Sequence, residues 1–248
     1  MAHDTAPIVT VRHRDGISWL SLNRPDRLNA VSAEIVESLI NGLDAAMENK
    51  SHLVVLSGEG RAFSAGFDLS GLDRQSDADL LYRFVRVEQL LQTLYRLPVT
   101  SLALVQGRCF GAAADIVAAC RHRIGTHDCS FRMPGLQFGI VLGTRRLAAL
   151  IGADAAFDLL ETSRVFSAET ALRCGFLTAL HDVEDWPELT ERFGRDAAAL
   201  TPESKAALMA QTHDNAALDA DLAALVRSAA RPGLADRIRR FVDTQVKK

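Results

Sequence analysis

Two turns rich in small residues are the features of this chain that could do chemistry. The first reads Ala-Phe-Ser-Ala-Gly-Phe-Asp-Leu over residues 62–69, and the second reads Val-Gln-Gly-Arg-Cys-Phe-Gly-Ala-Ala-Ala-Asp over residues 105–115. Each follows an apolar, strand-like run, and the second opens a helix. Because small residues permit a sharp bend, such turns aim backbone N–H groups into a pocket, where two together could bind a developing oxyanion.

Asp115 is the acid that follows the second turn. It begins an otherwise apolar helix, Ile-Val-Ala-Ala-Cys over residues 116–120, and a carboxylate in that setting is either partnered or functional. The stretch from Cys129 to Ala153, where a second acid would be useful, contains no Asp or Glu. The partners available nearby in sequence are Arg108, Arg121 and Arg123. Judged alone, each turn could instead have only a structural role in close packing, without binding a ligand.

The elements that must position these turns alternate between strand and helix. The predicted strands are 8–12, 17–22, 53–56 and 101–105, with a hairpin turn at 14–16, and the predicted helices are 32–49, 79–97 and 111–120. The first helix places Ile35, Leu39, Leu43 and Met47 on one face. Apolar strands alternating with helices predict an α/β core whose helices cover the sheet.

Beyond about residue 143 the pattern predicts mainly helices. Ser167 is a helix cap and Gly175 a helix end, Thr-Pro-Glu at 201–203 starts another helix, and two more follow at 216–230 and 234–246. These last helices are rich in alanine. Their apolar faces must be buried on the core or on another subunit, and the sequence leaves both open.

Composition excludes several classes of protein. The chain has 248 residues, 48% hydrophobic, with a formal net charge of −3, which fits one large domain or one domain with an appendage. No basic stripe suggests nucleic-acid binding, and no apolar run approaches the ~20 residues of a membrane helix. From the pattern of residues 1–5 we expect no signal peptide. Four scattered cysteines are typical of buried free thiols. We therefore expect a soluble, cytoplasmic protein.

Several motifs, taken in order, resemble those of the enoyl-CoA hydratase/isomerase (crotonase) superfamily. They are Leu-Asn-Arg-Pro-Asp-Arg-Leu-Asn-Ala at 22–30, the two turns with the helix to Cys120, Leu-Gly-Thr at 142–144 through Leu147, Phe-Ser-Ala-Glu-Thr-Ala at 166–171 and Cys-Gly-Phe at 174–176. The resemblance covers nearly the whole chain, and the ordered set is far more specific than any one motif. It outweighs the interpretation of each turn as packing alone.

The resemblance implies a fold and an assembly. We expect a crotonase-like α/β spiral of repeated β-β-α units in residues 1–195, which would bind acyl-CoA and hold the active site. Residues 196–248 would form a C-terminal helical module for oligomerisation and a lid. Family members usually assemble as homo-oligomers, as trimers or dimers of trimers. No separate cofactor is expected, because coenzyme A is part of the substrate. No metal site, no nucleic-acid partner and no membrane association is expected either.

The same resemblance implies residue roles. The thioester oxygen would be held by the backbone N–H groups of Phe67 and Ala112, where Ala112 replaces the family's usual glycine but keeps its amide. Arg24 and Arg27 are candidates for phosphate contacts. The expected substrate- and CoA-binding residues are Ala65, Phe67, Asp68, Leu69, Ser70, Gly111 and Ala112. An apolar acyl pocket, with core packing as its alternative, would use Phe67, Met133, Leu136, Phe138 and Val141.

The catalytic pair departs from the family pattern. Hydratases of this family use two glutamates; Asp115 occupies the first position, and Gly135, just after Pro134, occupies the second. We therefore expect a hydratase-like protein, adding water to 2-enoyl-CoA, with reduced or altered activity. The alternatives are other enolate chemistry (isomerase, decarboxylase or thioesterase) or acyl-CoA binding without catalysis. A replacement base would come from Glu88, Tyr82 or Gln137, although a structural role suits each of them.

Overall fold

The computed structural model describes residues 6–212 and 216–246; the N-terminal residues 1–5 lie outside the described residues. The strands are β1 (Val9–Arg14), β2 (Ile17–Leu22), β3 (Leu53–Gly58), β4 (Thr100–Val105), β5 (Arg108–Phe110), β6 (His122–Gly125), β7 (Ser130–Arg132), β8 (Phe166–Ser167) and β9 (Ala179–Leu180). The helices are α1 (Ala33–Glu48), α2 (Asp77–Tyr95), α3 (Ala112–Ala119), α4 (Thr144–Ile151), α5 (Ala153–Thr162), α6 (Ala168–Arg173), α7 (Trp186–Ala198), α8 (Pro202–Thr212), α9 (Leu218–Ala229) and α10 (Leu234–Val246).

The strands form two sheets. The larger has the order β1-β2-β3-β4-β6-β9, in which β1 and β2 form an antiparallel hairpin and the other neighbours are parallel. The smaller has the order β5-β7-β8, with β5 and β7 parallel and β8 antiparallel to β7. The large-sheet strands β1 to β4 follow the strands predicted from sequence, whereas the two- to four-residue strands β5 to β9 were not predicted.

Both faces of the large sheet are buried, which explains its continuous apolar strands. In β3, Val54 and Leu56 pack into a core with α1, α2 and α3, while Leu53 and Val55 pack on the opposite side with Leu189 of α7. Because neighbouring side chains of a strand point to opposite faces, a strand covered on both sides must be apolar throughout. The predicted α/β core with helices covering the sheet is confirmed.

The same order of elements, a strand of the large sheet, a segment of the small sheet and a helix, recurs along the chain. Residues 62–64 follow β3 and reach the small sheet through bridges from Ala62 to Gly107 and from Ser64 to Cys109. The unit β3, residues 62–64 and α2 is followed by β4, β5 and α3, and then by β6, β7 and α4. Each unit therefore places one turn between the large and the small sheet.

Helix boundaries follow their caps. Ser32 caps α1 as predicted, and its hydroxyl accepts a hydrogen bond from the amide of Ile35 at 3.3 Å. Helix α2 starts two residues earlier than predicted, because Ser76 and Asp79 form a reciprocal capping box. Of the four residues on the predicted apolar face of α1, Ile35, Leu39 and Leu43 are buried, whereas Met47 in the last turn is 39% exposed.

The C-terminal helices bury apolar side chains on their own chain. Leu225 of α9 and Leu234 and Ile238 of α10 form a core with Leu80 and Phe84 of α2. This places part of the predicted helical module against the body of the subunit. The boundary at residues 195 and 196, and the lid and oligomerisation roles, remain predictions.

The four cysteines are all free. Cys109, Cys120 and Cys129 are buried and Cys174 is half-buried. Burial raises the pKa of the Cys120 and Cys129 thiols to about 12, so neither ionises readily. Among the helices of residues 6–212 and 216–246, none is long and apolar enough to cross a membrane.

Candidate active site

The two small-residue turns lie side by side. The Ser64 amide donates to the Arg108 carbonyl and the Phe110 amide donates to the Ser64 carbonyl, both at 3.1 Å. Gly66 has a φ of +93°, and a Cβ there would lie 2.3 Å from the Phe110 carbonyl oxygen and 3.6 Å from the Ala112 nitrogen. The close approach of the turns therefore requires glycine at position 66.

Two backbone amides at these turns are unpaired. The N–H groups of Phe67 and Ala112 have no hydrogen-bond acceptor within the part of the chain that the structure describes, although their neighbours Gly66, Asp68 and Gly111 all donate within the fold. Ala112 is the first residue of α3, where a helix leaves its N–H groups free and carries partial positive charge. Two such donors facing one cavity could stabilise a developing oxyanion.

Phe67 and Ala112 both line a cavity of about 480 Å³, hereafter the inner cavity, a size typical of small-molecule sites. The predicted site residues that line it are Ala65, Phe67, Leu69, Gly111, Ala112, Asp115 and Gly135. Of the predicted acyl-pocket residues, Phe67, Met133, Leu136 and Phe138 line it and Val141 does not. A larger cavity of about 920 Å³ lies beside α7 and includes neither turn.

Asp115 borders the inner cavity and is only 4% exposed. Its Oδ1 atom is buried and has no hydrogen-bond partner in the described chain. Burial raises the pKa of Asp115 well above its ordinary value; Arg146 opposes this rise and Glu88 adds to it. An unsatisfied carboxyl with a raised pKa, facing a cavity, has the properties of a general acid or base.

The alternative that Asp115 is neutralised by an arginine nearby in sequence is wrong. Among the described residues it forms no ion pair with Arg108, Arg121 or Arg123. Arg123 instead donates from Nη1 to the carbonyl of Cys120 at 2.8 Å. The carboxyl therefore faces the cavity without a salt-bridge partner.

A buried ion pair lies behind Asp115. Glu88 of α2 pairs with Arg146 of α4, each with a side chain only 1% exposed, and Arg146 also lies 3.3 Å from Asp221 of α9. Glu88 does not line the inner cavity and is held by Arg146, which argues against it as a replacement base. Sequence reasoning missed Arg146, since nothing local marks it as the partner of an acid 58 residues earlier.

The other two candidate bases are also displaced from the inner cavity. Tyr82 is 64% exposed and borders a different cleft, and Gln137 is exposed and accepts from Arg132 Nη2 at 3.4 Å. Asp115 is therefore the one acidic side chain among the described residues that line the inner cavity.

Gly143 provides the space that Asp115 occupies. A Cβ at this position would lie 1.9 Å from Oδ1 of Asp115. The glycine of the Leu-Gly-Thr motif is therefore required by the buried carboxyl itself, and a larger side chain would displace it.

The segment expected to bind coenzyme A separates two cavities. Ala65, Phe67 and Leu69 line the inner cavity, whereas Asp68 and Ser70 line an outer cleft of about 700 Å³. Alternate residues of an extended segment face opposite sides, which explains the division. A single bound molecule could therefore pass along this segment from one cavity to the other.

The two arginines proposed for phosphate contacts have different surroundings. Arg24 lines the outer cleft and its Nη1 donates to Asp68 at 2.6 Å. Arg27 is 65% exposed beside Asp26 and lines neither cavity. Burial opposes ionisation of Asp68, but hydrogen bonds from Ser70 and Arg24 hold its pKa below the ordinary value.

Arg83 is a cleft residue that sequence reasoning missed. Its Nη2 donates to the Asp68 carbonyl at 2.8 Å, and its guanidinium carbon lies 4.1 Å from the centroid of the Phe67 ring. That ring stacks on Phe84 with centroids 4.3 Å apart. Arg83 thus holds the Phe67 segment in place from α2.

We expect Gly66→Ala to lower the stability of the protein. The added methyl group overlaps the Phe110 carbonyl, so the two turns must separate, at a cost of roughly 2 kcal/mol or more in the free energy of unfolding. Thermal unfolding measures this effect. Gly71→Ala is the matched control, because its φ is also positive at +70° but its nearest neighbour lies 3.5 Å away. Equal behaviour of the two variants would contradict the close-approach argument.

Comparisons with known proteins agree with the geometry. The profile of the enoyl-CoA hydratase/isomerase family matches residues 12–230. The mitochondrial enoyl-CoA hydratase domain-containing protein 3 of Danio rerio is 30% identical over 188 residues, 74% of this chain and 65% of that protein. The chain thus spans slightly less than two thirds of this relative. A probable enoyl-CoA hydratase of Mycobacterium leprae is 28% identical, covering 72% of this chain and 74% of the relative.

Solved structures show the same fold. A Bordetella parapertussis protein assigned to enoyl-CoA hydratase/isomerase is 46% identical, with a TM-score of 0.93 over 95% of this chain and 98% of that one. The crotonase-like spiral of repeated units with C-terminal helices is therefore confirmed. With the family profile spanning most of the chain, the protein belongs to the enoyl-CoA hydratase/isomerase (crotonase) family.

Proposed function

We propose that the protein acts on acyl-CoA thioesters as an enoyl-CoA hydratase-like enzyme, with reduced or altered activity. One observation carries the proposal: two unpaired amides, of Phe67 and Ala112, border the same cavity as the unsatisfied carboxyl of Asp115. Family membership supports the ligand class, and the geometry supports enolate chemistry. The names of the relatives support hydration as the reaction to test first.

The proposed mechanism assigns one role to each group. The thioester oxygen accepts hydrogen bonds from the Phe67 and Ala112 amides, which stabilise the enolate as charge develops. Asp115 takes a proton from water while the resulting hydroxide adds to C3 of the enoyl group, and the C2–C3 double bond becomes the enolate. The α-carbon then takes its proton from a second water or from a substrate group, and Asp115 returns its proton to solvent.

Gly135 is the reason for expecting reduced activity. It lines the inner cavity and contributes no carboxyl, and the family resemblance assigns it to the position of the second glutamate. Losing a positioned acid or base typically costs about 10²–10⁴ in rate. The same feature favours the second candidate function, acyl-CoA binding without turnover. Isomerase, decarboxylase and thioesterase reactions remain further outcomes, since all pass through a similarly stabilised oxyanion.

The outer cleft is proposed to receive the phosphate groups of coenzyme A. It is lined by Arg24, Arg74 and Arg83, and it continues from the inner cavity along the shared segment around Asp68. We also propose a homo-oligomer, a trimer or a dimer of trimers. Exposed apolar side chains support it, with Phe157 of α5 exposed by 68% and Val165 by 54%.

The deciding experiment is a screen of acyl-CoA thioesters read by calorimetry and by product mass. A hydratase adds the mass of water to crotonyl-CoA, an isomerase leaves the mass unchanged, a decarboxylase releases CO₂ from a carboxylated acyl group, and a thioesterase releases free coenzyme A. Binding with no change in any thioester would favour the non-catalytic alternative. No binding of any acyl-CoA would contradict the proposal.

We expect kcat/KM for crotonyl-CoA to rise with pH. A base must be ionised, and burial raises the pKa of Asp115, so the active carboxylate forms only above that raised value. The rate should therefore continue to increase above the ordinary pH range of a carboxyl and level off only above the raised pKa of Asp115. A pH–rate profile, limited to the range in which circular dichroism shows the protein folded, measures this. A rate that falls with pH would instead assign Asp115 as the proton donor.

A further inference from the structure

We propose that the acyl group accepted by this protein carries a carboxylate at the end remote from the thioester, and that Arg108 and Arg132 bind it. The inference rests on the proposed acyl-CoA function and narrows its substrate class to the CoA thioesters of dicarboxylic acids. It starts from two arginines that line the inner cavity together with Asp115 and the two unpaired amides.

The small sheet places the two arginines on one face. Strands β5 and β7 are parallel, with Phe110 paired to Arg132. Since side chains two residues apart along a strand share a face, Arg108, Phe110 and Arg132 point the same way. Cys109 and Phe131, which alternate with them, are completely buried on the other face. The sheet therefore presents both guanidinium groups on the face that borders the cavity.

Neither arginine has an acidic partner among the described residues. Arg132 donates to three neutral oxygens: the Ser163 carbonyl at 2.9 Å, Gln245 Oε1 at 2.7 Å and Gln137 Oε1 at 3.4 Å. Arg108 is exposed at the cavity rim, and its guanidinium carbon lies 5.2 Å from the centroid of the Phe110 ring. A ligand carboxylate that replaced a glutamine oxygen would exchange a neutral acceptor for a stronger, charge-assisted one.

The surroundings of Arg132 favour an anion further. A cleft that shares Phe138, Phe241 and Gln245 with the inner cavity is lined by Arg231, Arg237 and Arg240. Among the residues that the structure describes, no acidic residue lines this cleft. Potentials from several like charges add in such a cleft and attract a counter-charge. The remaining acid of the inner cavity, Asp115, lies beside the Ala112 turn rather than on the small sheet.

The rest of the inner cavity is largely apolar. Met133, Leu136 and Phe138 line it together with the two arginines, and Phe67 and Ala112 line the same cavity. A fitting acyl group would have a thioester oxygen, a short hydrocarbon body and an anionic group. This set of features matches a dicarboxylic acid esterified at one end with coenzyme A better than it matches a simple fatty acyl group.

The test compares two ligands that differ only at the acyl terminus. Glutaryl-CoA and pentanoyl-CoA have acyl chains of equal length and the same coenzyme A, and calorimetry measures both against the full chain. We expect glutaryl-CoA to bind at least about tenfold more tightly. Arg108→Gln and Arg132→Gln should remove this preference by weakening the binding of glutaryl-CoA far more than the binding of pentanoyl-CoA, and Arg132→Lys should restore part of it. Arg173→Gln, an exposed arginine on α6, is the control.

Each remaining outcome overturns the inference in a different way. Equal affinity of the wild-type protein for both thioesters would remove the carboxylate site and leave the proposed acyl-CoA function intact. An equal loss of affinity for both ligands in the arginine variants would indicate that Arg108 and Arg132 bind the phosphates of coenzyme A. Failure of both ligands to bind the wild-type protein would contradict the proposed function as well. Arg108→Gln keeps the test usable if Arg132→Gln does not fold, because Arg108 makes no hydrogen bond among the described side chains.

Discussion

Asp115→Asn should abolish the hydration of crotonyl-CoA while the protein remains folded. The substitution keeps the shape of the side chain but removes the oxygen that accepts a proton, and no other acid among the described residues lines the inner cavity. Losing the single positioned base should lower kcat by about 10²–10⁴. Loss of the enoyl absorbance and the product mass measure turnover, and calorimetry with a saturated acyl-CoA measures binding, which should change little.

The same substitution should leave thermal stability equal or higher at neutral pH. The pKa of Asp115 is higher in the folded protein than in the unfolded chain, where it is roughly 4. The contribution of Asp115 to stability is therefore fully present below the pKa of the unfolded chain, and it is lost as pH rises through the pKa of the folded protein. At neutral pH the aspartate therefore destabilises the native state, and an uncharged asparagine removes that cost. Between about pH 4 and pH 8, the difference in unfolding temperature between Asp115→Asn and the wild-type protein should increase with pH.

Controls separate a catalytic from a structural role for Asp115. Asp243→Asn, at an exposed position of α10, should change neither turnover nor stability. Unchanged turnover in Asp115→Asn would contradict the proposal that this carboxyl is the base. Turnover lost together with a large fall in the unfolding temperature would show instead that the carboxyl is structural.

Gly135→Glu is expected to raise the rate of hydration. It places a carboxyl on the wall of the inner cavity, at the position that the family resemblance assigns to the second glutamate. The backbone permits it: Gly135 does not have a positive φ, and a Cβ would lie 3.1 Å from the Ile140 carbonyl, which requires a shift of only a few tenths of an ångström. An added acid in position should increase kcat by at least about tenfold.

Gly135→Gln is the matched control for that experiment. It has the same size and makes the same contact with Ile140 but provides no ionisable group, so its turnover should stay at or below that of the wild-type protein. Calorimetry shows whether either variant still binds the ligand. Tight binding of crotonyl-CoA by Gly135→Glu without a gain in turnover would show that more than one carboxyl is missing, and would favour the non-catalytic alternative.

Much of the fold follows from local patterns. The apolar run of β3 must be covered on both sides, the periodicity of Ile35, Leu39 and Leu43 marks the buried face of α1, and serine caps mark where helices start. The short strands β5, β7 and β8 were not predicted because two or three residues show no periodicity. Their pairing depends on long-range hydrogen bonds such as that between the Gly111 amide and the Arg132 carbonyl.

The candidate site, like the fold, could be predicted from the sequence only in part. The order of its motifs indicated the family, the two turns, Asp115 and the missing acid at Gly135, since each of these is a property of a few consecutive residues. Arg83, Arg132 and Arg146 could not be assigned from the sequence, because an arginine carries no local sign of what it contacts. Val141 and Arg27 were assigned to sites by proximity along the chain, but neither lines the inner cavity or the outer cleft.

The sequence by itself determined which groups are available: two small-residue turns, one aspartate and no second acid from Cys129 to Ala153. Only the tertiary structure decided what those groups face. It brings the Phe67 and Ala112 amides to one cavity and buries Asp115 against Gly143 with Oδ1 unpaired. It also pairs Glu88 with Arg146 behind that carboxyl. The physical reason is that burial and charge interactions depend on distance in space, and the residues that contribute to them come from α2, α3, α4 and the turns at Phe67 and Gly143.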